Sequence, residues 1–182
     1  MPHCIKAIQI IVTSLFILLT ASSLSLAKTS ATSLFQANAK RNFVSFGIGP
    51  TIGLSNAQSQ FAMEQEIGWY PNRPGRGLLL SGVMQESFGN GTFRIDLSPR
   101  LAWDFKLSKS LGFYVRPYVQ LGYSLLSSAT TKHGFNLQFG LEPRISYENR
   151  ALFFMRIFSI DMFVSSNIHA RYALLFGGAL TF

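Results

Sequence analysis

Six arginines (Arg94, Arg100, Arg116, Arg144, Arg156, Arg171) and six carboxylates (Glu64, Glu66, Asp96, Asp104, Glu142, Asp161) hold one parity of their segments. Equal numbers of opposite charges on one face suit a space closed to water, where a charge persists only when paired. A solvated face needs no such balance. A second constellation is His169 with Ser165 and Ser166, and Asp161 across the same hairpin. Those residue types at one rim could run acyl transfer. The simpler reading of His169 is a rim histidine in the polar network, and of His133 a solvated loop residue. No metal constellation is present: beyond residue 27 there are two histidines and no cysteine, and arginines match the carboxylates. Gly47, Gly49 and Gly53 make no dinucleotide loop, since no helix follows. Asn90-Gly91-Thr92 fits a glycosylation sequon but reads as turn chemistry. No cofactor is expected.

The 182 residues are 48% apolar and only 13% charged, against roughly 25% charged in ordinary globular chains. A typical soluble surface is therefore not expected. The 17 Phe and the scarcity of charge exclude disorder, and the single Cys4 excludes a disulfide scaffold. Lys6, an apolar run over 7–19 and the small-x-small pattern Ser25-Leu26-Ala27 make 1–27 a cleavable signal peptide. That run is shorter than the ~20 residues of a spanning helix. Cys4 precedes the run, so it is not a lipoprotein cysteine. Residues 28–42 read as a flexible periplasmic tail, and 43–182 as the folded domain.

Everything after Asn42 alternates with period 2, the signature of strands with two unlike faces. Eight segments follow: 43–54, 60–70, 78–88, 93–105, 113–125, 135–148, 152–164 and 168–182. One face carries large apolar side chains. The other carries Gly, Ser, Ala and the charges. Two segments are less regular. Glu86 shares the parity of Leu80 and Phe88, and a bulge near 157–159 is needed to put Arg156 and Asp161 on one face. Turn residues separate the segments, the third hairpin loop spanning 127–134. The fold class is all-β: an eight-stranded antiparallel up-and-down transmembrane β-barrel, closed so that no edge is left.

Eight-stranded barrels carry their apolar face inside when soluble and outside when embedded in lipid. Small residues beside the charges fit a narrow lumen. Trp69, Trp103, Phe105, Phe113, Tyr147, Phe153 and Phe182 gather at one set of strand ends, as an interfacial girdle does. The chain ends in an aromatic strand. Its run Tyr172-Ala173-Leu174-Leu175-Phe176-Gly177-Gly178-Ala179-Leu180-Thr181-Phe182 resembles the C-terminal signal of bacterial outer-membrane β-barrels. Arg116-Pro117-Tyr118-Val119-Gln120-Leu121-Gly122-Tyr123-Ser124 resembles the Pro-Tyr-Val-x-x-Gly-x-Gly strand of small porin-like members, without the second Gly. The resemblance implies a bacterial outer-membrane location with both termini periplasmic. It implies outer-membrane lipids and the assembly machinery as partners, the latter reading Tyr172, Leu174, Phe176, Leu180 and Phe182. A monomer is expected, and no nucleic-acid partner.

The net charge of +8 sorts to one side. Lys40, Arg41, Arg73, Arg76, Lys106, Lys109 and Arg150 fall on the periplasmic side, and Lys132 alone on the other. Two readings stay open: attraction to anionic inner-leaflet lipid, and solubility during export. Pro50, Pro99, Pro117 and Pro143 fall within strands, on the outward face. Proline removes a ladder hydrogen bond, so a belt of bulged or unpaired positions is expected at one height, in the periplasmic halves of the strands. For function, the expectation is a non-enzymatic barrel with a charge-paired, plugged lumen and an envelope role. The alternatives are a narrow channel and a lipid-modifying enzyme at the His169 rim. Lipid A deacylases are barrels of this size, but their pattern around the catalytic His is broken here by His169-Ala170-Arg171.

Overall fold

A computed structural model of the chain describes residues 41–55, 57–71, 77–108, 112–147 and 151–182. The expected signal and most of the tail lie outside the described residues, as do Lys40, Arg73, Arg76, Lys109 and Arg150.

The described chain forms ten strand segments: β1 (Asn42–Ser55), β2 (Gln60–Trp69), β3 (Gly77–Gly89), β4 (Thr92–Ser108), β5 (Phe113–Ser127), β6 (Thr131–Tyr147), β7 (Ala151–Arg156), β8 (Phe158–Val164), β9 (Ile168–Ala173) and β10 (Leu175–Thr181). All pairings are antiparallel. From β1 to β6 each strand pairs with the next; β6 then pairs with β7 near one end and β8 near the other. β8 pairs with β9, β7 with β10, and both β9 and β10 with β1. The pairings therefore run round a ring, with β7 and β8 acting as its seventh strand and β9 and β10 as its eighth.

Both interruptions have a local cause. Between β7 and β8, Ile157 and Phe158 both point outward while Arg156 and Ser159 are buried. This is the extra residue of a bulge, and it returns Arg156 and Asp161 to one face. Between β9 and β10 the register is unbroken: Ile48 faces Phe176 and Thr51 faces Ala173. Leu174 drops out of the ladder because its partner, Pro50, has no N–H. One bond survives, from the Leu174 N–H to the Pro50 carbonyl at 3.0 Å.

The other prolines behave alike. Pro99 pairs with Gly82 but has no ladder partner on β5. Pro117 pairs with Leu141 but has none on β4. Pro143 pairs with Val115 and sits beside the β7–β8 bulge. One-sided pairing thus holds at all four.

Two hairpins away from the termini are tight. Gly89 pairs with Thr92, leaving Asn90 (φ 50°) and Gly91 (φ 73°) as a two-residue turn with positive φ at both positions. Ser127 pairs with Thr131. The third loop is thus residues 128–130 rather than 127–134, and Lys132 and His133 belong to β6.

Alternation governs burial. Phe46, Ile48, Leu97, Leu101, Leu121, Ile145 and Phe176 all expose about half of their surface or more outward. Trp69, Trp103, Phe105 and Phe153 are exposed in the same way near the strand ends on the side of the termini. The opposite parity is buried along the middle of the strands and opens only near their ends, as at Lys106 and Lys132. Arginine at the middle of a lipid-facing surface costs ~2–4 kcal/mol, and the charged face turns inward. Glu86 keeps the outward parity, between Met63 and Ile95 in register, and is buried together with Gln65 and Met84.

Candidate functional site: the luminal charge network

All twelve charged residues Glu64, Glu66, Arg94, Asp96, Arg100, Asp104, Arg116, Glu142, Arg144, Arg156, Asp161 and Arg171 are at most 5% exposed. The structure brings them together in two clusters inside the ring.

The larger cluster is built on Glu64, from β2. Both its oxygens accept from Arg100 of β4, at 3.0 and 2.7 Å, and both accept from Arg156 of β7, at 2.7 and 2.6 Å. One carboxylate thus holds two guanidinium forks. Arg156 continues to Glu142 Oε2 at 2.9 Å, and Arg144 Nε donates to Glu142 Oε1 at 2.5 Å. Arg100 also donates to Glu66 (3.0 Å) and Gln120 (2.7 Å). The Tyr118 ring packs against both forks, 4.5 Å from the Arg100 guanidinium and 4.7 Å from that of Arg156.

Toward the termini, Arg116 grips Asp104 with Nε (2.6 Å) and Nη2 (2.9 Å). The Tyr70 hydroxyl donates to the same carboxylate at 2.5 Å and accepts from Arg116 Nη2 at 2.9 Å. Phe43 lies 4.8 Å from both the Arg116 and the Arg144 guanidinium. Looser approaches of Arg116 to Glu66 (3.7 Å) and Glu142 (3.9 Å) join this layer to the first. The joined cluster holds Arg100, Arg116, Arg144 and Arg156 against Glu64, Glu66, Asp104 and Glu142, and is neutral.

The smaller cluster lies toward the hairpins. Asp161 of β8 accepts from Arg94 of β4 at 2.8 Å and from Arg171 of β9 at 3.0 and 2.5 Å. Arg94 also donates to Asp96 at 2.7 Å, and Ser124 bonds the same Asp96 oxygen. Asn136 donates to Asp161 at 3.3 Å, and Arg171 reaches Gln60. Two arginines meet two carboxylates, so this cluster is neutral too. No ion pair among the described residues links it to the larger one.

Burying so many charges is costly, and their mutual attraction offsets the cost only with good geometry and satisfied hydrogen bonds. Glycines make the aromatic part of the filling possible. A Cβ on Gly47 would lie 2.9 Å from the Phe154 ring, and one on Gly177 would meet the same ring. Phe43, Tyr70, Tyr118, Phe154 and Phe163 are luminal fillers that the charge pattern does not name. Their signal in the sequence is parity alone.

The acyl-transfer constellation is not assembled. Asp161 has both oxygens engaged by arginines. His169 pairs in register with Phe163, the next two-residue step from the Arg171–Asp161 pair, and its ring packs 5.8 Å from that of Phe163. The Ser165 hydroxyl takes no hydrogen bond. Among the described residues no group of three His, Cys, Asp or Glu is placed to hold a metal ion.

An apolar outer band, a sealed polar interior and a ring of antiparallel pairings define a β-barrel of the membrane type. The chain has the fold of the eight-stranded outer-membrane β-barrels. It is similar to Neisserial surface protein A, at 11% identity and TM-score 0.61, over 80% of this chain and all of that one. It is similar to the N-terminal β-barrel domain of Pseudomonas aeruginosa OprF, at 11% identity and TM-score 0.55, over 78% of this chain and 98% of that one. The outer-membrane protein OprG of Pseudomonas aeruginosa matches at 9% identity and TM-score 0.50, over 81% and 98%. No family model matches the sequence, and no curated protein matches it.

Proposed function

We propose that this chain is a non-enzymatic integral protein of the bacterial outer membrane, with both termini periplasmic and a lumen closed by its own ion pairs. The observation that carries this reading is the cross-lumen span of Glu64, held by Arg100 on one side and Arg156 on the other. A side-chain bridge between non-neighbouring strands fills the space that a conducting path needs. The exposed apolar band supports the membrane location, and the fold neighbours support the outer membrane. Tyr172, Leu174, Phe176, Leu180 and Phe182 form the outward parity of the final strand, where the assembly machinery would read them. Exposed Arg41 and Lys106 lie at the terminal rim, where anionic lipid would meet them. The protein acts as a monomer, anchoring lipid and stiffening the envelope.

The test is single-channel recording in planar bilayers. A gel-mobility shift between heated and unheated samples first establishes folding. A folded, silent barrel is expected. Stable discrete openings in the unmodified protein would overturn the plug and leave a narrow channel with a charged constriction.

A further inference from the structure

A layer of amides and hydroxyls joins the two ion-pair clusters. Gln85 comes from β3, Ser98 from β4, Gln120 from β5, and Asn136 and Gln138 from β6. Asp96 of β4 adds the oxygen that Arg94 and Ser124 do not use. Register makes these residues one patch on the inner wall. Gln85 faces Asp96, Gln120 faces Gln138, and Asn136 faces Gly122. The Ser98 hydroxyl lies over Gly122, where a Cβ would stand. The patch touches both clusters: Gln120 accepts from Arg100 of the larger one, and Asn136 donates to Asp161 of the smaller.

All six side chains are at most 5% exposed, yet each keeps an atom that bonds no protein group. Gln85 keeps both its amide oxygen and its amide nitrogen. Gln120 keeps its amide nitrogen, Asn136 and Gln138 their amide oxygens, Asp96 its Oδ2 and Ser98 its hydroxyl. A buried polar atom left bare costs its full desolvation, so seven of them on four adjacent strands need a partner. The chemistry of the patch selects that partner. Donors and acceptors are both left over, so the partner must accept and donate. A monatomic ion cannot do both. Each cluster is already neutral, so an ion between them would find no counter-charge. Water offers two hydrogens and two lone pairs, and buried waters make about three hydrogen bonds each.

We propose that this layer binds a cluster of about two or three internal waters, which link the amides of Gln85, Gln120 and Gln138 to Asp96. The inference rests on the closed lumen proposed above and divides it. Two neutral barriers enclose a hydrated layer, in place of one solid plug.

The protein, expressed from its full chain, purified in detergent and isotope-labelled in its Gln and Asn side chains, would be studied by water-selected nuclear Overhauser spectroscopy. Direct cross-relaxation with long-lived water is expected at the amides of Gln85 and Gln120. Its absence at either would overturn the layer. Gln85→Leu gives an independent reading through stability. Removal of a bare amide would leave the folding equilibrium constant unchanged or raise it. Removal of an amide that holds water should lower it by about tenfold, in urea unfolding from lipid vesicles. An unchanged or raised constant would overturn the proposal. The spectroscopic reading needs no variant, so it stands even where Gln85→Leu does not fold. The two readings of the lumen fail separately. Discrete single-channel openings with fast-exchanging water at these amides would overturn the closure, and dry amides in a silent barrel would overturn only the hydrated layer.

Discussion

Glu64 and Arg156 are 92 positions apart in the chain and share two hydrogen bonds across the lumen, at 2.6 and 2.7 Å. No strand pairing brings them together, since β2 and β7 are not neighbours in the ring. The contact exists because the barrel closes, so it reports on closure.

Removal of one partner from this buried contact should therefore be severe. Glu64→Gln leaves two guanidinium groups without their shared charge, and should cost about 3–5 kcal/mol in urea unfolding from lipid vesicles. Arg156→Met should cost a comparable amount. The double variant should cost less than the sum of the singles, because the second change removes a charge already orphaned. Strict additivity would mean that the pair does not interact in the membrane.

Tyr70 tests the layer nearest the termini. Its hydroxyl stands between Asp104 and Arg116, so Tyr70→Phe removes a donor to a buried carboxylate while keeping the ring edge-on to Phe43. A loss of about 1.5–3 kcal/mol is expected in the same unfolding assay. A change within error would show that water takes the place of the hydroxyl.

Gly47 tests the packing of the lumen. Gly47→Ala pushes a methyl group into the Phe154 ring, an overpacking expected to cost about 1–3 kcal/mol. Phe154→Leu in the same chain should recover part of that loss. If the second change only adds to the damage, the glycine is needed for the backbone and not for the ring.

Depth in the membrane separates two outward positions. Leu121 lies at the middle of β5, and Phe105 near the end of β4. Arginine should cost about 2–4 kcal/mol at Leu121 and about 0–1 kcal/mol at Phe105, measured by equilibrium folding into vesicles. Equal costs would contradict an apolar slab centred on Leu121.

Much of this architecture was legible from alternation, because lipid and lumen make opposite demands on successive residues. The parity misfit of Arg156 with Asp161 already calls for a bulge near 157–159. The missing N–H of proline makes the one-sided pairing at Pro50, Pro99, Pro117 and Pro143 readable from residue type alone. The third hairpin looked longer than it is because Thr131, Lys132 and His133 are polar and read as loop, although β6 continues through them. The partners within the lumen were not legible at all. Parity places Glu64 inside, but only ring closure decides that it meets Arg156 and not Arg171. Nor does parity separate Phe43 and Tyr70 from the lipid-facing aromatics without the neighbours that set the phase.

Each of the two ion-pair clusters balances its own charge, with four arginines against four carboxylates in one and two against two in the other. An electric field across the membrane finds no net charge to pull on in either cluster, so voltage has no handle on them. Deleting a single carboxylate creates such a handle, up to about 2.3 kcal/mol per 100 mV if the uncovered charge crosses the whole field. If the lumen is closed as proposed, a Glu64→Gln barrel that stays folded should open and close with applied potential, while the unmodified protein is expected to stay silent at the same potentials.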